Sequence, residues 1–105
     1  MSVIKTTDAD FKSFLNDNEK VVVKYYADWC GSCRLFSPKF NRLSEDERFK
    51  DITFLDVNAE QNAEARKLAG VSNLPYFAVF KNGTLIEGAT TSKEEYLIEM
   101  LQKLN

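Results

Sequence analysis

Cys30 and Cys33 are the only thiols in a 105-residue chain that contains no histidine. Gly31 and Ser32 lie between them. A C-x-x-C pair of this kind binds metal, anchors a haem, exchanges disulfides or sits inert in a core. A structural zinc site needs four Cys or His ligands, and one chain supplies only two here. Haem attachment calls for a His directly after the second Cys, and Arg34 stands there. With no imidazole available, nucleophilic catalysis through a His base is excluded as well. Reversible thiol–disulfide exchange is left, weighed against two inert buried cysteines.

Placement decides between these two. Val21, Val22, Val23, Lys24, Tyr25 and Tyr26 form a β-branched and aromatic run, which predicts a buried central strand. A helix is expected from about Cys30 to Glu47, so the cysteines open that helix directly after the strand. On a first helical turn the two sulfurs come within bonding distance. The unpaired N–H groups and the positive end of the helix dipole then favour a thiolate at Cys30. A free thiol with a pKa of ~8.5 is only about 3% ionised at pH 7, and lowering it to ~7 ionises about half. Cys30, expected at the exposed edge, attacks a substrate disulfide. Cys33, one turn inside, attacks Cys30 and releases the reduced substrate. The chain itself needs no cofactor for this chemistry.

The rest of the sequence supplies elements to hold that turn. Val3 and Ile4 suggest a short first strand. Thr7 and Asp10 read as a capping box before Phe11, Phe14 and Leu15, which recur at helical spacing. In the helix after the cysteines, Leu35, Phe36, Phe40 and Leu43 give an apolar face, and Pro38 predicts a kink. Ile52 to Val57 reads as a strand, and Asn62 to Ala69 as a short helix stopped by Gly70. Tyr76 to Phe80 and Leu85 to Glu87 read as strands joined by Asn82-Gly83, a hairpin signal because both positions accept positive φ. Ser92 with Glu95 reads as a second capping box, ahead of a helix burying Leu97, Met100, Leu101 and Leu104. The order β-α-β-α-β-α-β-β-α predicts an α/β fold. Its mixed sheet has a parallel core and a C-terminal antiparallel hairpin, with helices on both faces.

Length and composition agree with a single domain over residues 1–105: 44% apolar, 29% charged, four Gly and two Pro. The net charge of −2 comes without a basic run, so nucleic acid is not an expected partner. No stretch approaches the ~20 apolar residues of a membrane span. The start lacks the basic-then-apolar pattern of a signal peptide, which suggests a soluble cytoplasmic protein.

Ala27-Asp28-Trp29-Cys30-Gly31-Ser32-Cys33 resembles the active-site segment of the thioredoxin family, and the likeness runs over essentially the whole chain. Pro38, Leu74-Pro75 and Phe80-Lys81-Asn82-Gly83 are similar to the family's helix kink, cis-proline and closing hairpin. On its residues alone Pro75 reads as an ordinary trans turn proline and Trp29 as core. The resemblance implies instead a cis bond whose loop lies against the sulfurs. It also implies a docking surface of Trp29, Gly31, Ser32, Leu74 and Pro75, with the Leu74 backbone pairing a substrate's main chain. It implies a protein-disulfide reductase, monomeric, acting on protein disulfides and re-reduced by an NADPH-dependent thioredoxin reductase. Gly88-Ala89 is aligned with the family's third substrate-facing loop.

Two departures matter. The family dipeptide between the cysteines is most often Gly-Pro, and Ser32 keeps an N–H that could bond the thiolate and alter redox poise. The family's buried Asp, six residues before the first Cys, is Lys24 here, and its Lys partner is Asp56. Both lie in apolar runs where a lone charge is costly. A Lys24–Asp56 ion pair across neighbouring strands removes both costs. Set beneath Cys33, it would help take that thiol's proton, with Asp56 the preferred acceptor and a neutral Lys24 the other if burial lowers its pKa. A purely structural pair, or two side chains reaching solvent separately, is the other reading. Two functional alternatives stay open: an oxidase or isomerase with opposite redox bias, and a partner-binding subunit without turnover.

Overall fold

The computed structural model describes residues 3–105. Met1 and Ser2 of the expected 1–105 domain lie outside the described residues. Five strands form one sheet: β1 (Val3–Lys5), β2 (Lys20–Tyr26), β3 (Thr53–Asn58), β4 (Tyr76–Lys81) and β5 (Thr84–Thr90), in the order β1-β3-β2-β4-β5. β3 runs parallel to both β1 and β2, whereas β4 is antiparallel to β2 and to β5. Four helices pack on it: α1 (Phe11–Asp17), α2 (Gly31–Ser44), α3 (Ala63–Ala69) and α4 (Glu94–Gln102), with a short 3-10 turn at Glu47–Phe49. The VVVKYY run is the central strand, as its composition predicts.

Side chains alternate across β2 and so feed two cores. Val21, Val23 and Tyr25 join Phe11 and Leu15 of α1 and Ala65 and Ala69 of α3 on one face. Val22 joins Phe36, Phe40 and Leu43 of α2 and Leu97, Met100 and Leu101 of α4 on the other. The same alternation directs Lys24 and its register partner Asp56 to the α2 side of the sheet.

Boundaries shift where capping differs from the sequence pattern. The Thr7–Asp10 box is half made: the Asp10 carboxylate accepts the Thr7 N–H at 3.0 Å, but the α-helix begins only at Phe11. Ser92 and Glu95 form no box, and Thr91 Oγ1 instead accepts the Lys93 N–H at 3.1 Å. Helix α2 ends at Ser44 and passes through Pro38 without interruption. Leu35 is 78% exposed and leaves the expected apolar face. Cys33, Phe36, Phe40 and Leu43 share one helical stripe, and position 35 is turned off it by about 100°. The hairpin forms with Asn82 at φ 52° and Gly83 at φ 80°, and Gly70 closes α3 at φ 67°.

Gly88 and Ala89 lie within β5, opposite Ala78 and Phe77, and are not a loop. The glycine is needed for close approach: a Cβ at 88 would stand 3.0 Å from Cε1 and Cζ of Tyr76, on top of the phenol. That phenol donates to the Ala69 carbonyl at 3.0 Å and so ties β4 to α3. Gly88→Ala is expected to displace the ring, break this bond and destabilise the fold by about 1–3 kcal/mol. Urea unfolding measures it, and an unchanged midpoint would mean that the ring moves aside freely.

Candidate active site

Cys30 is the N-cap of α2. Its amide donates to the Ala27 carbonyl at 3.1 Å, folding the strand-to-helix turn, and its sulfur accepts the Cys33 N–H at 3.1 Å. One of the helix's orphan donors thus points at the sulfur. Any negative charge on Cys30 meets a backbone N–H and the positive end of a 14-residue helix. The two cysteines form a disulfide, with Cα atoms 5.3 Å apart. The amide reaching the Cys30 sulfur is that of Cys33, where the sequence suggested Ser32. Ser32 brings its hydroxyl to 3.9 Å of the same sulfur.

Cys30 does not stand at an exposed edge. It is 4% exposed and Cys33 is 2% exposed. The disulfide and the capping bond turn the Cys30 sulfur toward the helix, and Ala27 and Leu74 pack against the pair. Exposure belongs to the neighbours Asp28, Trp29, Gly31 and Ser32. Trp29 is 67% exposed, not core, and its indole N–H donates to Glu60 at 2.6 Å. The Leu74–Pro75 bond is cis, and Thr90 Oγ1 donates to the buried Pro75's carbonyl at 2.8 Å. Among the described residues no hydrogen bond engages the Leu74 N–H or carbonyl.

Beneath Cys33 lies a cavity of about 160 Å³ bounded by Lys24, Asp56, Ser37, Lys5, Asp28 and Arg34. That is room for water. Lys24, 3% exposed, places Nζ 3.5 Å from Asp56 Oδ1. Burial holds the Lys24 ammonium below the ordinary lysine range, against the opposing pull of Asp56. Burial likewise pushes the Asp56 carboxyl above the usual carboxylate range, against the opposing pull of Lys24. Both shifts have the sign of charges that lose more by desolvation than their partner returns. The two side chains do meet, on the face that carries Cys33.

A family model, Thioredoxin, matches residues 2–103. The chain belongs to the thioredoxin family. It is 38% identical over 94 residues to thioredoxin-1 of Schizosaccharomyces pombe, covering 87% of this chain and 89% of that one. Reduced thioredoxin pre-protein of Schistosoma mansoni superposes with a TM-score of 0.89 at 29% identity, over 100% of both chains. A thioredoxin f2 solved in complex with ferredoxin:thioredoxin reductase gives a TM-score of 0.88 at 25% identity, over 97% of this chain and 94% of that one. As a thioredoxin, this chain is a thiol–disulfide oxidoreductase working by dithiol–disulfide exchange, with Cys30–Cys33 as its redox-active pair.

The thioredoxin site holds two residues that the sequence reading did not single out. Ser37 bonds both Lys24 and the Cys33 carbonyl, at 2.6 and 3.2 Å. Its position four residues after Cys33 was the available signal, since i and i+4 share a helix face. Glu60, the partner of Trp29, comes from the turn after β3 and left no local trace in the sequence. Among the described residues no helix is long and apolar enough to cross a membrane.

Proposed function

We propose that Cys30 is the attacking thiol and Cys33 the resolving one, and that the reaction runs toward reduction of disulfides in several protein substrates. The observation that carries the two roles is the Cys33 N–H aimed at the Cys30 sulfur at the start of α2, and the likeness to thioredoxins supports the reducing direction. Only one of the two sulfurs has that stabilisation, and the favoured thiolate is the better attacker. Trp29, Gly31, Ser32 and Leu74 form the docking surface, with the buried Pro75 supporting it from below and the free Leu74 backbone pairing the substrate's main chain. The Lys24–Asp56 pair receives the Cys33 proton during resolution, and Asp56 is the acceptor.

The protein acts as a monomeric single domain over residues 1–105, in the cytoplasm, passing electrons within cellular redox homeostasis. Its electron donor is an NADPH-dependent thioredoxin reductase. The complex of thioredoxin f2 with ferredoxin:thioredoxin reductase supports a reductase partner in general. Insulin reduction with dithiothreitol is the test of the activity. The protein is expected to hasten insulin precipitation well beyond dithiothreitol alone, and equal rates would overturn the reading. Replacing dithiothreitol by an NADPH-dependent thioredoxin reductase tests the donor. NADPH oxidation that depends on this protein and on insulin supports it, and none would point to another reductant.

A further inference from the structure

The buried ion pair is lopsided. Lys24 Nζ lies 2.6 Å from the Ser37 hydroxyl and 3.5 Å from Asp56 Oδ1. Ser37 gives its one proton to the Cys33 carbonyl, so its lone pair is what receives the ammonium. Asp56 Oδ1 is buried and accepts no hydrogen bond. An ammonium free to choose would close on the carboxylate, because charge-assisted bonds are the stronger kind. Here it is drawn toward the turn of α2 that carries Cys33.

The geometry points to Ser37 as a positioning residue of the exchange reaction: by holding the Lys24 ammonium against α2, it leaves Asp56 Oδ1 open to receive the Cys33 proton. This rests on the assignment of Cys33 as the resolving thiol. In that step the Cys33 S–H proton passes to Asp56, directly or through water admitted to the cavity. The Cys33 thiolate attacks the Cys30 sulfur of the mixed disulfide. The Cys30–Cys33 bond forms, the bond to substrate breaks, and its electron pair leaves on the substrate sulfur, which takes a proton from solvent. The substrate disulfide gains two electrons and the dithiol of this chain loses them.

The other groups around the cavity do not replace Ser37. Lys5 on β1 and Arg34 on α2 add positive charge, Asp28 adds a second carboxylate, and Tyr26 adds a phenol. Lys5 draws the Asp56 carboxyl downward, as Lys24 does, while burial raises it by more. A carboxylate kept above its usual range, with the ammonium held 3.5 Å from its Oδ1, is a better base than one in close contact with that ammonium.

Ser37→Ala is the test, with Ser37→Thr as the variant that keeps the hydroxyl. Alanine is the strongest helix former, so α2 is retained. Two readouts are used: the Asp56 carboxyl titration, followed by carbon-13 NMR in the oxidised protein, and the pH profile of mixed-disulfide resolution in a single turnover. In Ser37→Ala the ammonium closes on Asp56. Its titration is expected to move to lower pH and resolution near neutrality to slow about tenfold, with mixed-disulfide formation by Cys30 unchanged. Ser37→Thr restores both. An Asp56 titration that stays put or moves upward in Ser37→Ala, or an unchanged resolution rate, would overturn the proposal. The oxidised-state titration needs no turnover, so it judges Ser37 even if the insulin assay fails.

Discussion

Cys33→Ser is expected to abolish turnover and to leave the protein covalently joined to its substrate. The Cys30 sulfur is stabilised by a backbone amide, that of residue 33, and by the start of α2. Neither is lost when the side chain at 33 becomes a hydroxyl. Cys30 therefore still attacks and the mixed disulfide still forms. Release requires a second sulfur one turn away, and serine is too poor a nucleophile to provide it. Insulin reduction should fall on the order of 10³-fold or more, as for loss of a reacting group in other enzymes. Intact mass spectrometry should show a one-to-one adduct with a model disulfide. Cys30→Ser should give neither turnover nor adduct, because the remaining thiol at 33 lacks the capping amide and is 2% exposed. The reverse pattern, a trap in Cys30→Ser and an inert Cys33→Ser, would exchange the two roles.

The low exposure of both sulfurs bears on how substrates arrive. With Cys30 only 4% exposed in the disulfide state, the approach is framed by what surrounds it. Trp29 is exposed beside it, and Gly31 and Ser32 leave the helix start uncovered. Leu35 lies one turn beyond Gly31 on the same side of α2 and is the most exposed of the large apolar residues at 78%. An apolar rim around a tucked disulfide suits a partner that docks a segment of chain. The Leu74 backbone, unbonded among the described residues, is free for the pairing proposed with that segment.

Features written in local sequence were legible; those made by distant residues were not. The VVVKYY run announced the central strand because a strand covered on both faces is apolar nearly throughout, with Lys24 the one exception. Asn82-Gly83 announced the hairpin because few other residues accept its φ values. The capping signals were weaker. The start of α3 is held by Asp8, whose carboxylate accepts the Ala65 and Glu64 amides at 2.8 and 3.2 Å from more than fifty residues away. No pattern near residue 63 could carry that. Leu35 has apolar neighbours in the sequence, but its angle around the helix separates it from Phe36. Position at a helix start does not reveal the burial of Cys30, because only the fold brings Leu74 over it. The Lys24–Asp56 pairing was legible by its cost: two charges in apolar runs on adjacent strands need each other. That the ammonium leans toward Ser37 needed the third element, α2, in place.

The same pair makes the second large prediction, one of stability. Removing one partner of a buried ion pair costs about 3–5 kcal/mol, whereas an apolar pair of similar volume is often neutral or better. Asp56→Asn strands an ammonium that is 3% exposed and holds a single hydrogen bond, to Ser37. Lys24→Met strands a carboxylate that is 16% exposed, so its cost belongs at the lower end, about 3 kcal/mol. Lys24→Met with Asp56→Leu should recover most of the loss, and a double variant no better than the worse single one would deny the coupling.

The pH dependence separates the two singles. The folded Lys24 pKa lies below its unfolded value of 10.5, so between the two the unfolded chain holds more protons and stability rises with pH. Without Asp56 the folded value drops further and that window widens. The defect of Asp56→Asn should therefore shrink as the solution is made alkaline. The folded Asp56 pKa lies above 3.8, so between the two the folded chain holds more protons and stability rises as pH falls. Without Lys24 the folded value rises further and that window widens at its upper end, so the defect of Lys24→Met should shrink as pH falls through it toward 4. Denaturant midpoints of both variants, each taken against wild type across pH, should cross. Parallel curves would mean that neither charge is held at the cost its burial implies, and the carboxylate would then lack the raised basicity on which the proposed proton transfer from Cys33 rests.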